Sequence, residues 1–272
     1  MYFRWKKSRI LSGILALGLL AGLSACGASF DAQVSRARDA LTALQEEDAL
    51  SYRYVLTTQE DGQTEGYRYD VSSLKSKEQY YMVQETLPSD PVFTLETATL
   101  QGKSWNRALT ADGDWHPASA ELLSFPGLGD LASLLLTPKN FQSAAQDGET
   151  MHFQISAAYF KTAKKSLAES MREIIKSAPA EQQDFFKIGL AVLESRKFQD
   201  GTLEVTFAQG QLQSAVWDLR YEEADFLSLQ AGMSAKEALR PLAAHAEFQL
   251  LSVDAAEIEG QLQEFFENNN LP

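Results

Sequence analysis

Three histidines, His116, His152 and His245, are the residues best suited to acid–base or metal chemistry in this chain. Each lies in or beside a predicted strand or turn, and no recognisable nucleophile motif accompanies it. A hydrolytic triad needs a serine, a histidine and an acid that converge in space, and an all-histidine metal site would use every histidine present. We therefore interpret all three as surface or half-buried side chains.

Short loops rich in glycine or acids give no specific signature either. Asp112 and Asp114 lack the terminal glutamate of a twelve-residue calcium loop, so a hairpin turn is favoured. Gly127-Leu128-Gly129 lacks the Lys-Ser/Thr pair of a phosphate-binding loop. Glu222 and Glu223 are adjacent in the chain rather than facing each other. The sequence therefore predicts a protein that is not an enzyme and that holds no cofactor or metal.

The single cysteine, Cys26, follows a segment that is typical of a secretory signal. Residues 1–9 carry four basic residues and no acid, residues 10–23 are an uncharged apolar run, and small residues come next. This order of positive, apolar and small is that of a signal peptide. The apolar run is shorter than the roughly 20 residues of a spanning helix, so a single-pass anchor is the less favoured alternative.

The sequence Leu23-Ser24-Ala25-Cys26 resembles a bacterial lipobox, which has Leu, two small residues and then Cys. The resemblance implies cleavage before Cys26 and a diacylglyceryl thioether on its sulfur. Two acyl chains, palmitate for example, hold a protein stably on a membrane, whereas a single chain binds marginally. We expect a signal peptide at 1–25, a lipidated cysteine with a short tether at 26–29, and a lipid-anchored protein on the extracytoplasmic face of the cell membrane.

Composition and charge limit the partners of the mature chain. The 272 residues are 44% hydrophobic, which is too apolar for a disordered chain, and one cysteine excludes a disulfide framework. The net charge of −13 argues against nucleic acid, which requires a basic surface. Removing the four basic residues of the signal segment leaves 20 basic against 37 acidic residues, a net charge of −17. Anionic lipid head groups repel such a body, so we expect the anchor to hold it at the membrane.

Hydrophobic periodicity predicts blocks of strands separated by helices. The predicted helices are 30–47, 118–136, 158–177, 181–197 and 254–268, and the predicted strands are 51–57, 66–72, 78–86, 92–100, 103–109, 151–156, 201–208, 212–221 and 244–253. Pro126-Gly127 interrupts the second helix, Ser234 and Glu237 form a capping-box pattern for a further short helix, and Asp254 is a predicted N-cap. The order indicates the α+β class, and no linker divides residues 30–272, which we expect to form one domain.

Aromatic residues are concentrated on the predicted strands. Packing in a sheet core explains them most simply, because strands favour aromatic residues. The alternative is a curved sheet that encloses an apolar cavity, with the helices of 158–197 as its lid. The candidate cavity residues are then Tyr52, Tyr54, Tyr67, Tyr69, Trp105, Phe153, Met171, Phe185 and Trp217. Periodicity does not distinguish a filled core from a hollow one.

The order of the elements resembles the LolA/LppX-type lipoprotein fold. The resemblance rests on a helix leading from Cys26 into the strand at 49–57, on the strand, DGDW turn and apolar block at 105–136, on the strand and long helix at 151–176, and on the strand–turn–strand pair at 201–221. The pattern is also similar to Gram-positive lipoproteins of this kind whose function is not established. It implies a curved antiparallel sheet, or half-barrel, with helices packed across its open side, and carriage of acylated or otherwise apolar ligands. It supplies no catalytic residues.

Two functions of different classes are consistent with these patterns. The first is a membrane-anchored lipoprotein that binds or carries a hydrophobic ligand, a lipid or an acylated molecule, in the cell envelope. The second is a non-catalytic module that docks an envelope protein through its surface and has no ligand cavity. An apolar cavity on the order of several hundred Å³ favours the first function, and a core at normal packing density favours the second.

Overall fold

The computed structural model describes residues 29–60, 62–88, 93–109, 113–118, 125–269 and 271. The predicted signal peptide, the lipobox and Cys26 lie outside these residues, as do Asp112 and residues 119–124 of the predicted helix at 118–136. The described residues form one open antiparallel sheet of eleven strands, against which helices pack. This arrangement confirms the predicted α+β fold with a curved half-barrel sheet.

The helices and strands alternate in blocks along the chain. The helices are α1 (Phe30–Glu46), α2 (Leu128–Leu135), α3 (Ala157–Ser177), α4 (Ala180–Ser195), α5 (Phe226–Gln230) and α6 (Ala255–Asn269). The strands are β1 (Ala49–Glu60), β2 (Gln63–Leu74), β3 (Gln79–Leu87), β4 (Thr94–Leu100), β5 (Lys103–Ala108), β6 (His116–Ala118), β7 (Phe141–Asp147), β8 (Thr150–Ile155), β9 (Lys197–Ala208), β10 (Gln211–Ala224) and β11 (Leu239–Ser252). Among these helices, none has both the length and the hydropathy of a membrane-crossing segment.

The sheet consists of two meanders joined by their first and last strands. The strand order is β6-β5-β4-β3-β2-β1-β11-β10-β9-β8-β7, so every neighbouring pair except β1–β11 is consecutive in the chain. The β1–β11 pair runs from Ser51 opposite Ser252 to Gln59 opposite Ala243. Strand β1, the first of the chain, therefore lies in the middle of the sheet.

Alternation along the strands gives the sheet two different faces. Tyr54 lies opposite Tyr69 of β2 and Phe248 of β11, and these side chains share the face that we call the inner face. Arg53 lies opposite Asp70 and binds it through two hydrogen bonds, the shorter of 2.6 Å, on the outer face. The part of the inner face that helices cover is apolar, whereas much of the outer face is polar and contacts water.

Helices α1 and α2 bury the middle of the inner face. In α1, Val34, Ala37, Leu41 and Leu44 recur at helical spacing and are buried in the main core together with the leucines of α2. Asn140, in the turn after α2, donates hydrogen bonds of 2.9 and 2.8 Å to the carbonyls of Ser133 and Leu134, which lie near the C-terminal end of that helix. Both helices are thus fixed by apolar packing, and α2 also by a side-chain cap.

Helices α3 and α4 form a hairpin beside strands β9 and β10. Phe160 of α3 packs against Phe198 and Tyr221, with ring centroids 5.3 and 5.7 Å apart. Lys164 donates to the carbonyl of Arg196 at 2.8 Å, which ties α3 to the end of α4. The predicted helical hairpin over 158–197 is therefore present.

Helix α6 covers part of the outer face. Ile258 and Leu262 pack against Ala49 and Leu74 in a second, smaller core. The backbone amides of residues 256 and 257 donate to the Asp254 carboxylate at 2.9 and 3.1 Å, which is the predicted N-cap.

Several elements differ from the expectation. Strands β6 and β7 and the short helix α5 are not among the predicted elements, and β1 continues to Glu60 rather than ending at residue 57. Of the predicted helix at 118–136, Ala118 belongs to β6 and the described residues are helical only over Leu128–Leu135. Ser234 and Glu237 make the reciprocal hydrogen bonds of a capping box, but only a turn follows before β11 begins. After this capping box, β11 begins at Leu239, so the residues that would continue a helix belong to the strand instead.

Gly127, which precedes α2, allows the start of this helix to pack directly against the ring of Tyr54. Its φ of +79° lies in the left-handed region, and a Cβ at this position would lie 2.5 Å from Tyr54 Cδ2. A residue with a side chain would therefore be strained in its backbone and would also collide with the ring.

Replacing Gly127 by Ala should destabilise the protein by about 2–4 kcal/mol, because overpacking costs about 1–3 kcal/mol and a left-handed L-residue roughly 1 kcal/mol more. Gly129→Ala in the same helix is the matched control, since no atom lies within 4 Å of its added Cβ. That control should be neutral or stabilising, because Ala favours helices over Gly. Urea unfolding midpoints report the stability of both variants. Equal midpoints would contradict the close packing of Gly127 against Tyr54.

Candidate functional site

The nine candidate cavity residues fall into three different environments. Tyr52, Tyr54, Phe153 and Trp217 are buried together in the main core, and Tyr69 packs against that core. Trp105 lies opposite Ala98, which in turn lies opposite Tyr81, whose ring stacks on Phe265 of α6. Trp105 is therefore on the outer face and is separated from the other strand candidates by the sheet.

The remaining candidates lie towards solvent. Met171 of α3 lies next to Gly189 of α4. Phe185 of α4 is 61% exposed and contacts Phe226 of α5, with ring centroids 5.2 Å apart. Tyr67 is 41% exposed although it lies on the inner face of β2, opposite Leu56. The structure thus brings the strand residues of the inner face together and leaves the helical candidates apart from them.

Four aromatic side chains form a row across the inner face. Trp217 and Tyr54 have ring centroids 5.8 Å apart, Tyr54 and Tyr69 are 5.9 Å apart, and Tyr69 and Tyr67 are 6.2 Å apart. These separations are those of interacting aromatic pairs. The row is buried at Trp217 and Tyr54, half-buried at Tyr69 and open to solvent at Tyr67.

Helix α2 covers the buried part of this row. The Tyr54 hydroxyl donates a hydrogen bond of 3.4 Å to Asp130 Oδ2 in the first turn of α2. Burial, and then the nearby Asp130 charge, raise the pKa of the Tyr54 phenol, so it stays protonated and acts as a donor. Desolvation also raises the pKa of the Asp130 carboxyl. This end of the row is therefore closed by packing and by a polar contact.

The exposed end of the row opens into a groove of about 520 Å³. Its lining residues are Leu56, Thr58, Glu65, Gly66, Tyr67, Thr86, Leu87 and Pro88. Leu56, Thr58, Glu65 and Tyr67 all belong to the inner face by their register. A side chain at Gly66 would collide with the Leu56 carbonyl oxygen, so glycine permits the close approach of β1 and β2 here.

A polar well of about 420 Å³ adjoins this groove. It is lined by Thr58, Glu60, Gln63, Glu65 and Arg240, so it shares Thr58 and Glu65 with the groove. The Arg240 guanidinium binds Glu60 and lies 3.1 Å from Asp225 Oδ1. Its Nε is buried and has no hydrogen-bond partner among the described residues. Groove and well together offer adjacent apolar and polar surfaces.

A third pocket, of about 510 Å³, lies on the outer face and is polar. Arg220 binds Asp200 there through two hydrogen bonds, and His245 Nδ1 lies 2.8 Å from Asp218 Oδ1. His152 forms a similar pair with Glu204 at 3.1 Å. Within the described part of the chain, no three His, Cys, Asp or Glu side chains are grouped as a metal site. These charges pair with one another across strands, as is common on exposed sheets.

Most residues of the groove and well were not among the sequence candidates. Tyr67 was a candidate because of its alternation, but Leu56, Thr58, Glu65 and Arg240 were not. The available signal was the turn at 60–62, which indicates a hairpin whose strands continue through these polar residues. For Arg240 there was no signal, because 180 residues separate it from its partner Glu60.

Solved structures overlap most of the chain at low similarity. The chain is similar to the crystal structure of LolA superfamily protein NE2245 from Nitrosomonas europaea, with 10% identity over 79% of this chain and 94% of that one at a TM-score of 0.24. It is also similar to a DUF1329 family protein from Desulfovibrio piger, with 9% identity over 83% and 98% at a TM-score of 0.25. No family model and no curated protein matches the chain. Function is therefore inferred below from the chain's own side chains.

The different burial of two candidate phenylalanines leads to a direct test. Phe153→Ala should destabilise the protein by about 3–5 kcal/mol, because Phe153 is 2% exposed in the core. Phe185→Ala, its matched control, should change stability by less than about 1 kcal/mol, because Phe185 is largely exposed. Urea unfolding free energies distinguish the two. A small effect for Phe153 would indicate a hollow, adaptable interior instead of a filled one.

Proposed function

We propose that the protein is a membrane-anchored extracytoplasmic lipoprotein that binds the apolar part of a lipid or other amphiphile in the groove beside Tyr67. The observation that carries the proposal is the aromatic row, which is buried under α2 at one end and ends in an open groove at the other. Tyr67, at the open end of the row, is 41% exposed, so the row offers apolar surface to the groove.

The groove has the size and lining of a small-ligand site. Ligand pockets are roughly 300–1,000 Å³ and mostly apolar, with a few polar groups. Leu56, Tyr67 and Pro88 supply apolar surface at the groove, and Thr58 and Thr86 supply hydroxyls. Each methylene of an acyl chain removed from water contributes about 0.8 kcal/mol, so six contribute about 5 kcal/mol before the costs of ordering. A partly covered alkyl chain is therefore a suitable occupant.

The N-terminal sequence supports the anchored location. The lipobox-like Leu23-Ser24-Ala25-Cys26 ends a signal-like segment only four residues before α1 begins at Phe30. A tether of a few residues spans at most roughly 3.5 Å per residue. The body is thus held close to the membrane, where an amphiphile is available for binding.

Replacing Tyr67 by Ala should reduce the retained ligand about tenfold, because removing a half-exposed ring loses roughly 1–2 kcal/mol of apolar contact. The measurement is native mass spectrometry of the full chain, purified from membranes and released from detergent in the instrument. Solvent extraction then identifies the non-covalent ligand. Leu251→Ala is the control, because Leu251 is also an exposed apolar strand residue but does not line the groove.

Wild-type protein that carries no extractable ligand and takes up no added fatty acid, phospholipid or alkylammonium amphiphile would contradict the binding function. That result would favour the alternative, a non-catalytic module that docks another envelope protein. Retention of ligand by Tyr67→Ala at the wild-type level would place the ligand elsewhere on the molecule. Two detergents of different chemistry exclude occupancy by the detergent itself.

Replacing Cys26 by Ser should abolish covalent lipidation, because the thioether needs the sulfur of the chain's single cysteine. Incorporation of labelled palmitate and the intact mass of the full chain measure this effect. Ser24→Ala, which keeps a small residue in the lipobox-like sequence, should still be labelled. Labelling of the Cys26→Ser variant, or an uncleaved and unlabelled wild-type chain, would contradict lipid anchoring; the uncleaved chain would favour the single-pass anchor.

A further inference from the structure

The border between the groove and the polar well is formed by two facing residues. Thr58 of β1 lies directly opposite Glu65 of β2, and both residues line the groove and the well. On one side of this border lie Leu56, Tyr67 and Pro88, and on the other lie Glu60, Gln63 and Arg240. An amphiphile whose chain lies in the groove would therefore place its head group beside Glu65.

The charges around the well favour a positive head group. Arg240 is already shared between two carboxylates, those of Glu60 and Asp225. Glu65 forms no ion pair with any residue that the structure describes. Three carboxylates against one guanidinium leave this region negative, so an anionic head would be repelled and a cationic head attracted.

Tyr67 adds a second feature that suits a cation. It lies two residues from Glu65 on the same face of β2, at the point where the groove meets the border. The face of an exposed aromatic ring attracts ammonium and quaternary ammonium groups, and contributes about 0.5–1 kcal/mol at exposed sites. A carboxylate and an aromatic face beside an apolar groove form a suitable combination for an alkylammonium ligand.

We propose that the ligand of this groove is an amphiphile with a cationic amine or quaternary ammonium head, bound by Glu65 and Tyr67 at the border and by Leu56 and Pro88 along its chain. The proposal rests on the proposed function, because it assigns the head group of the same ligand. It goes further in excluding fatty acids and other anionic amphiphiles as preferred occupants.

The test compares two sixteen-carbon amphiphiles of opposite charge on the full chain. Native mass spectrometry from a neutral detergent measures occupancy by hexadecyltrimethylammonium and by palmitate at equal concentrations. We expect the cationic amphiphile to bind at least about tenfold more tightly, as a favourable ion pair, a cation–π contact and the absence of repulsion together contribute roughly 1.4 kcal/mol or more.

Variants assign the preference to the border residues. Glu65→Gln should reduce the cationic preference about threefold to fivefold, the effect of one exposed ion pair. Glu247→Gln removes the same charge from an exposed position of β11 on the outer face and should leave the preference unchanged. Tyr67→Ala should weaken binding of both amphiphiles, because both chains use the groove.

The outcomes separate the head-group assignment from the proposed function. Equal occupancy by both amphiphiles, a preference for palmitate, or equal effects of Glu65→Gln and Glu247→Gln would contradict the cationic head group while leaving ligand binding intact. The absence of any bound amphiphile would contradict both the assignment and the proposed function.

Discussion

The hydrogen-bonded pairing of β1 with β11 is the constraint on which the rest of the structure depends. It is the contact that makes one sheet of two meanders, because every other neighbouring pair of strands is consecutive in the chain. It brings Tyr54 beside Phe248 on one face and places Glu60 within reach of Arg240, 180 residues away. Closing so long a loop costs conformational entropy that only the completed pairing and its covering helices offset. The inner face therefore exists as one surface only when these two strands pair.

Local patterns in the sequence predict most of the elements and fail where a neighbouring strand supplies the stability. Alternation at Tyr52, Tyr54 and Leu56 identifies β1, but its polar end at Thr58–Glu60 is held by pairing with β2 and β11 rather than by any apolar pattern. Strand β7, a half-exposed edge strand of small and polar residues, is defined by β8 beside it. Ser234 and Glu237 form their capping box, yet β11 begins at Leu239 and leaves no room for a helix.

The candidate site was predictable in composition but not in position. Alternation shows that Tyr67 and Tyr69 share a face of β2, but it does not show which face the helices cover. Trp105 and Trp217 are equally plausible from sequence, and only the register of the strands puts them on opposite faces. Glu65 and Arg240 interrupt an apolar face with charge, so a hydrophobic pattern cannot identify them. Their relation depends on the long-range pairing described above.

In the aromatic row, the residues that stabilise the fold are different from the residues that would bind a ligand. Gly127 leaves no space above the Tyr54 ring, and Tyr54 interacts with aromatic neighbours on both sides, so the middle of the inner face is filled. Such packing stabilises the fold without a ligand. Beyond α2, the same face continues through Leu56 and Tyr67 into the open groove. An alkyl chain there would cover the exposed end of the row as α2 covers Tyr54. Binding would then bury apolar surface without rearranging the core, so loading and release would not require the fold to open.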